Sequence, residues 1–320
     1  MTDSDVLPVV RAADLADPEP HRRWLVESLW TRAGVGIVGG APKACKSWLG
    51  LDLALSVASN TPCLGRFAVH DPGPALLYMA EDGPADVKQR LLGLCRGRGL
   101  DLARVPLDVI TSPSLRLDID RDRLRVDRTL RRHRPRVLLL DPFVRLHRVD
   151  ENSAAEVSAL LAFLREMQRE HDVAIVVVHH ARKSAAGSAG QALRGSGDFH
   201  AWIDSALYVR RHSEHLTVAI EHRAAPAPEP IHLVLAGTDA GDAALVLIDP
   251  QTGQPSTAED LRPRILAHLD AIPGGASRDE LRAALRVRTD RIGPELAALA
   301  REGLVHRDGG TWKRVPVPPP

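Results

Sequence analysis

The chain has 320 residues, 44% of them hydrophobic and 26% charged, with a formal net charge of +1, which is ordinary for a soluble globular protein of about two domains. A nearly neutral chain has no global attraction to nucleic acid, so any such binding must come from local basic patches. The sequence has no apolar run near the roughly 20 residues of a membrane span. Its three cysteines form no C-x-x-C pair, which argues against zinc ribbons and disulfide frameworks. We therefore expect a cytoplasmic protein.

Residues 1–20 are polar with scattered prolines and are expected to be flexible. Residues 21–30 are predicted to form a short helix. Strands and helices then alternate, which predicts a doubly wound α/β core extending to about residue 250. The predicted strands of this core span 35–38, 75–79, 107–110, 137–141 and 173–178. One predicted helix follows the first strand and ends near residue 60. Three more span 86–96, 121–133 and 153–169, and a capping box at 153–156 opens the last of them. Four further strand candidates, expected to be antiparallel additions to the sheet, span 207–209, 216–220, 231–235 and 244–248.

The segment 249–255, DPQTGQP, has the composition of a linker. Two capping boxes at 256–259 and 277–280 each predict the start of a short helix, and a third helix is predicted to end near Glu302. Residues 305–315 predict a hairpin with glycine at its turn. Three helices and a hairpin over 256–315 predict a winged helix-turn-helix domain, a usual reader of duplex DNA. The Pro-rich residues 316–320 are expected to be a disordered tail.

The sequence GGAPKACKSW at residues 39–48 lies between a predicted strand and an apolar helix, the arrangement of a phosphate-binding loop. In such a loop backbone N–H groups and the helix N-terminus hold the phosphates. Lys46 would reach the outer phosphates and the Ser47 hydroxyl would bind Mg²⁺. Cys45 occupies the second glycine position of G-x-x-x-x-G-K-S/T, where its Cβ crowds the backbone and its thiol is predicted to ionise more readily. The candidate nucleotide-binding residues are Gly39, Gly40, Ala41, Pro42, Lys43, Ala44, Cys45, Lys46, Ser47 and Trp48.

Three further positions at predicted strand ends carry candidate catalytic groups. Asp141 closes an apolar strand and would hold Mg²⁺ with Ser47. Because Pro142 follows it, the carboxylate that activates water must come from elsewhere, and Glu81 is the first candidate, with Asp82 as its competitor. Adjacent strand residues point to opposite faces, so one histidine of the pair His179 and His180 can face the phosphates. We favour His180 as a neutral phosphate sensor.

Two loops beyond strand ends carry positive charge. The small-residue segment 183–199 contains Arg194, a candidate arginine finger for the phosphate bound by a neighbouring subunit. The segment 143–152 contains Arg145, His147 and Arg148, whose charge suits a nucleic-acid backbone. Both loops would line a pore if subunits form a ring. Arg194 could equally be an ordinary surface arginine.

With these motifs assembled, the chain resembles the RepA-like branch of the RecA/DnaB superfamily of P-loop ATPases, the hexameric replicative helicase group. The motifs, which cover about residues 20–240, are GGAPKACKSWLGLDLALSVA, LLYMAEDG, VLLLDPF, VVVHHARK, LRGSGD and VAIEHRAAPAPEPIHL. The resemblance implies a RecA-like fold, ATP hydrolysis with Mg²⁺ and ring assembly with sites between subunits. It implies the hydrolytic role for Glu81, metal binding for Asp141, phosphate sensing for the histidine pair and the finger for Arg194. Cys45 departs from the family's glycine.

Two functions remain open from the sequence. One is an ATP-driven helicase or translocase of plasmid, phage or mobile-element replication, a homo-oligomer and possibly a hexamer, with single-stranded DNA in its pore. The other is an ATP-switched DNA-binding regulator or loader that grips duplex DNA through the winged helix. The candidate DNA contacts of these readings are Arg145, Arg148, Arg288, Arg291, Arg307 and Lys313. A relative that binds ATP without turnover is a third, weaker reading.

Overall fold

The computed structural model describes residues 7, 9–15, 23–151, 153–180, 197–213, 215–237, 243–249, 253, 261–272, 274–285 and 289–315. The chain forms two compact units, Met1–Leu245 and Val246–Pro320. Several sequence-based predictions fall outside the described residues. They are most of the flexible N-terminus, most of the loop with Arg194, most of the linker, the capping box at 256–259, Arg288 and the tail at 316–320.

A large sheet organises the first unit. Its strands are β3 (Val35–Gly40), β4 (Ala75–Met79), β5 (Leu107–Val109), β6 (Val137–Asp141), β7 (Ala174–His180), β8 (Ser205–Arg211), β9 (Leu216–His222), β10 (Ile231–Gly237) and β11 (Ala243–Leu247). Among the described residues the order is β11-β10-β9-β8-β3-β7-β6-β4-β5, and β8, β3, β7, β6, β4 and β5 are mutually parallel neighbours. The sheet is therefore the mainly parallel α/β core that the sequence predicts.

Helices follow the parallel strands as the alternating pattern indicates. They are α1 (Lys46–Ser59), α2 (Pro84–Arg96), α3 (Asp120–His133), α4 (Ala154–His171) and α5 (Gly197–Trp202). Helix α1 is buried along most of its length, and it lies so close to β6 that a Cβ on Gly50 would sit 2.9 Å from the Leu139 side chain. None of the described helices combines the length and the hydropathy that crossing a bilayer requires.

Residues 24–31 form a small hairpin, and the predicted helix over 21–30 is wrong. Strand β1 (Trp24–Val26) pairs with β2 (Trp30–Thr31) in antiparallel fashion. Leu25, Val26, Leu29 and Trp30 are essentially fully buried, and their i, i+1, i+4, i+5 spacing also fits one helix face, which explains the error. The chain reverses at Ser28, whose φ is 57°, so tertiary packing overrides the helical pattern.

Strand β8 corrects a second prediction. It was expected to be the first of the antiparallel additions, but it pairs in parallel with β3. The reason is the helix α5 before it, which supplies the crossover that parallel strands need. Most of the small-residue segment 183–199 lies outside the described residues, but its end is part of the fold, since α5 begins at Gly197 and Phe199 is 3% exposed in the core. Strand β9 pairs in antiparallel fashion with both β8 and β10, as predicted for these additions to the sheet.

The capping box predicted at 153–156 does not form, although α4 begins at the expected position. Ser153 makes no side-chain cap hydrogen bond. Glu156 Oε2 instead accepts from the Asp150 N–H at 3.1 Å, so the glutamate stabilises the loop before the helix. In the second unit, by contrast, Ser277 and Glu280 form the reciprocal bonds of a capping box at 3.2 and 2.7 Å.

The second unit contains three helices and a three-stranded antiparallel sheet among its described residues. Its elements are α6 (Leu261–Asp270), β12 (Ala276–Ser277), α7 (Arg278–Leu285), α8 (Thr289–Arg301), β13 (Val305–Asp308) and β14 (Thr311–Arg314), with strand order β12-β14-β13. Strands β13 and β14 are joined by a glycine pair at 309–310, both with positive φ. The unit has its own apolar core, which includes Ile265, Leu281, Ile292 and Leu296.

Candidate nucleotide-binding site

Four adjacent parallel strands bring the predicted site residues to one edge of the sheet. In β3 and β7, Gly39 and Gly40 lie in register with His179 and His180. In β6, Asp141 lies in register with Met79 of β4, and Glu81 follows two residues later. Carboxyl ends of parallel strands are where ligands bind in α/β sheets. The structure thus collects the phosphate loop, the histidine pair, Asp141 and Glu81 in one region.

The phosphate loop joins β3 to α1 through two left-handed residues. Gly40 ends β3 with φ 154°, and a Cβ there would lie 2.3 Å from the Val209 carbonyl oxygen, so this position needs glycine. Lys43 and Cys45 have φ of 62° and 59°, and Cys45 is the N-cap of α1. The left-handed region is where glycine has no steric cost. Cys45 therefore holds a glycine conformation with a Cβ in place.

The Cys45 thiol does not ionise more readily, contrary to the prediction. Burial raises its pKa, and the attraction of Arg211 and Lys46 is too weak to reverse that shift. The sequence argument counted the positive surroundings of the loop and omitted the loss of solvent around a half-buried sulfur.

Lys46 is the buried cation of the site. Its side chain is 3% exposed, and its Nζ donates to the Ala41 carbonyl oxygen at 2.8 Å across the loop. Burial lowers the pKa of Lys46, while Asp141, Cys45 and Glu81 act in the opposite direction. Such a lysine keeps two further N–H donors for phosphate oxygens.

Asp141 on β6 and Ser47 on α1 lie in direct contact. Ser47 donates a side-chain hydrogen bond to the Asp141 carboxylate. Asp141 is 5% exposed, and its Oδ2 is buried without a hydrogen-bond partner. Burial raises the pKa of Asp141 to about 6, helped by Asp82 and Glu81. A hydroxyl beside a buried carboxylate with an unsatisfied oxygen fits Mg²⁺, which prefers oxygen ligands and keeps several waters.

The two acidic residues after β4 have different partners. Glu81 Oε1 accepts from Arg145 Nε at 2.8 Å, and both side chains are about half exposed. Asp82 accepts two hydrogen bonds from Arg90 at 2.7 and 2.8 Å, and the Arg90 guanidinium lies 5.6 Å from the Trp48 ring centroid. The bidentate pair engages both oxygens of Asp82. Glu81 is thus the freer carboxylate to act as a base.

The two histidines face different surroundings, as adjacent strand residues should. His179 is 6% exposed and stacks on Phe199 with ring centroids 4.7 Å apart. Burial lowers its pKa to about 4. His180 is less buried, and burial together with Lys46 lowers its pKa as well. Both rings are therefore neutral at neutral pH, and His180 has the more open position.

Arg145 and Arg148, the predicted DNA contacts of the loop after β6, both make ion pairs. Arg145 binds Glu81, and Arg148 Nε lies 3.1 Å from Asp118 Oδ2. The loop is also held by Arg116, which donates to the Arg145 carbonyl oxygen. His147, from the same loop, is 5% exposed and packs on Phe143. It is not available to a nucleic acid.

Two arginines near the loop were missed by the sequence analysis. Arg211 donates to the Lys43 carbonyl oxygen at 2.9 Å, and Arg90 bridges Asp82 and Trp48. Arg211 is the last residue of β8. Because the sequence predicts β8 as an antiparallel strand, the end of this strand was not expected beside the phosphate loop. Arg90 has a clearer signal, since it lies on α2 eight residues after Asp82.

One other group of potential metal ligands occurs among the described residues. Asp127, Glu170 and His171 lie within reach of one another on α3 and α4. Arg131 already bridges Asp127 and Glu170 at 3.1 and 2.8 Å, and His171 binds Asp127 at 2.9 Å. These contacts satisfy the group without an ion, and it lies apart from the strand ends that carry the phosphate loop.

The fold is a mainly parallel α/β core with the phosphate-loop motif at the edge formed by β3, β7, β6 and β4. Residues 2–186, more than half of the chain, match the family described as AAA domain. The chain belongs to this family.

A solved structure of a DnaB-like replicative helicase, described with its interactions with primase, is similar with a TM-score of 0.52. The two chains share 15% identity, over 67% of this chain and 59% of that one. At such identity the likeness concerns the fold. This chain spans less than two thirds of the helicase chain's length. No curated protein matches the sequence.

Replacing Cys45 with glycine tests the loop geometry. Because Cys45 has a left-handed φ of 59°, we expect Cys45→Gly to retain or tighten ADP binding and to raise the free energy of unfolding by up to about 1 kcal/mol, since the relieved strain exceeds the flexibility that glycine adds. Titration calorimetry with ADP and thermal unfolding give the two readouts.

Cys45→Ala is the matched control, because it removes the thiol and keeps the Cβ. It should bind ADP as the wild type does, without the gain in stability. Loss of binding in Cys45→Gly would mean that the loop is misaligned with the G-x-x-x-x-G-K-S/T pattern.

Proposed function

We propose that this protein is a Mg²⁺-dependent ATPase that acts on DNA, a RepA-like ring helicase or translocase of plasmid, phage or mobile-element replication. The observation that carries the proposal is the buried Asp141 carboxylate beside the Ser47 hydroxyl, with the Lys46 ammonium in the same site. A buried carboxylate with an unsatisfied oxygen costs free energy unless a cation binds it. The neighbouring phosphate loop indicates which cation complex is expected, a magnesium nucleotide.

The roles of the chain's residues follow from this geometry. Backbone N–H groups from Lys43 to Ser47 would bind the phosphates, with Lys46 exchanging the Ala41 carbonyl for a phosphate oxygen. Asp141 and Ser47 would hold Mg²⁺, which when bound neutralises phosphate charge in the transition state. Glu81 would accept the proton of the attacking water. The neutral His180 would donate to the terminal phosphate.

The ion pair between Glu81 and Arg145 connects hydrolysis to DNA. While Arg145 binds Glu81 at 2.8 Å, the carboxylate is a poorer base, because its charge is partly neutralised. Exposed pairs of this kind contribute about 0–1 kcal/mol, so a DNA phosphate can compete for the arginine. Phosphate binding at Arg145 would then free Glu81 and raise the rate of hydrolysis.

The test is ATP hydrolysis with and without single-stranded DNA, with oligomeric mass read in parallel. We expect Mg²⁺-dependent turnover that DNA stimulates. Glu81→Gln should reduce kcat at least about a hundredfold while retaining ATP binding, because the general base is lost and the phosphate loop is intact. Lys46→Ala should lose affinity as well as turnover.

Asp82→Asn is the control for the neighbouring carboxylate and should keep most of the turnover. Arg145→Gln should raise hydrolysis in the absence of DNA, because Glu81 then has no arginine partner, and should lose the further stimulation by DNA. Turnover that persists in Glu81→Gln would contradict the assignment of the base. Good ATPase activity without strand displacement on any fork would exclude the helicase reading and leave the switch.

The second candidate function, an ATP-switched regulator or loader, is supported by the architecture of the second unit. The order α6, β12, α7, α8, β13, β14 and the antiparallel sheet support a winged helix, in which the glycine turn between β13 and β14 would be the wing. Arg307 is exposed on β13, while Lys313 pairs with Asp308 at 2.7 Å. Arg291 lies in α8. We propose that this unit binds duplex DNA.

Duplex binding by the full chain tests this second candidate. Arg307→Gln should weaken affinity for any duplex sequence and flatten the slope of log K against log salt by about 0.9, as expected for one lost phosphate contact. Arg104→Gln, an equal loss of charge in the first unit, should leave the slope unchanged. Equal slopes for both variants would indicate that the winged helix docks protein rather than DNA.

A further inference from the structure

Helix α3 carries a line of arginines for which the nucleotide site has no use. Arg121, Arg125, Arg128 and Arg132 are exposed, and their spacing is i, i+4, i+7 and i+11. At 3.6 residues per turn these positions fall within about 60° of one another, and at 1.5 Å per residue they extend over about 16 Å. We call these four residues the arginine stripe. The opposite face of the helix is buried through Val126 and Leu130.

The charges around the stripe leave most of it unneutralised. Arg121, Arg128 and Arg132 make no ion pair with any residue in the described part of the chain, and Arg125 pairs with Asp122 at 2.9 Å. The remaining acidic residues of α3 lie elsewhere. Asp120 is in the first turn, and Asp127 on the flank is bound by Arg131 and His171. An exposed row of like charges is unfavourable in an isolated helix.

The chemistry of the stripe favours phosphate over other anions. Arginine presents a planar fork that matches phosphate oxygens, and it does so repeatedly along one line. Neighbours at i and i+4 are about 5–6 Å apart, a spacing suited to successive phosphates. Leu124 is the one large apolar side chain exposed on α3, which is too little for a protein-docking surface.

Helix α3 has no aromatic side chain on which a base could stack, which favours duplex over single-stranded nucleic acid as its ligand. None of the 14 residues of α3 is Phe, Trp or Tyr. Proteins that bind single strands combine basic grooves with aromatic platforms, whereas a duplex presents its phosphates on a stiff outer surface and its bases inside. A convex row of arginines without aromatics is complementary to a duplex backbone.

We propose that the arginine stripe binds the phosphate backbone of duplex DNA without reading its sequence. This inference rests on the proposed action on DNA and adds a duplex contact on the outer face of the first unit. It uses none of the residues assigned to the nucleotide site, and neither Arg145 nor Arg307. The stripe would therefore contribute to holding duplex DNA whether or not ATP is hydrolysed.

The test is binding of the full chain to a duplex of mixed sequence over a range of salt concentrations, without nucleotide. The variant combines Arg121→Gln, Arg128→Gln and Arg132→Gln. Three lost phosphate contacts should reduce the magnitude of the slope of log K against log salt by about 2.7. The charge-matched control combines Lys88→Gln, Arg104→Gln and Arg169→Gln, which removes three exposed but scattered cations, and it should leave the slope within about 0.5 of the wild type.

Thermal unfolding of both variants and their basal ATP hydrolysis show whether the fold is intact, since none of the six residues belongs to the nucleotide site. Failure of the ATPase proposal would appear as missing turnover in the wild type, while duplex binding could still be measured. Equal slopes for the stripe variant and the control would overturn the inference. So would a loss confined to single-stranded DNA or to an acidic protein partner.

Discussion

The buried carboxylate of Asp141 is the constraint on which the rest of the site depends. A carboxylate 5% exposed with one unsatisfied oxygen is costly in any folded protein. Burial raises the pKa of Asp141 to about 6. The raised pKa has the same origin as the free-energy cost, because burial favours the neutral carboxyl over the carboxylate. Ser47 and Lys46 offset only part of this cost. A divalent cation with phosphates would offset the rest, which is the physical basis of the proposed magnesium nucleotide.

The order of the strands brings the residues of the site to one edge of the sheet. Because β3, β7, β6 and β4 are neighbours and parallel, residues distant in the chain are brought together without a long loop. Gly50 lets α1 approach β6 closely, which places Ser47 near Asp141. The loop itself tolerates Cys45 in a left-handed conformation, at a cost of about 1–2 kcal/mol. Strain of this size persists where the surroundings hold the backbone in place.

Much of the fold was predictable from the sequence, because long apolar runs and strand-helix alternation are strong signals. The strands at Ala75–Met79 and Val137–Asp141 have the predicted bounds. The hairpin at Trp24–Thr31 was not predictable, since its buried residues also fit a helix face. The parallel direction of β8 depends on α5, and the Gly-rich sequence around α5 does not indicate a helix. For the same reason the contact of Arg211 with the phosphate loop was not predictable. The pairing of Glu81 with Arg145 joins side chains 64 residues apart and has no local signature.

The charges of the first unit are arranged in distinct regions. The strand-end site concentrates buried charges, while three of the four arginines of the stripe are exposed and make no ion pair with a described residue. A net charge of +1 conceals this distribution. The central claim is that Asp141 holds Mg²⁺ for a nucleotide, and titration calorimetry of ADP with Mg²⁺ or EDTA tests it most directly. We predict that Mg²⁺ tightens binding at least about tenfold, or about 1.4 kcal/mol, in the wild type and leaves it nearly unchanged in Asp141→Asn. Equal effects of Mg²⁺ on both proteins would contradict the account.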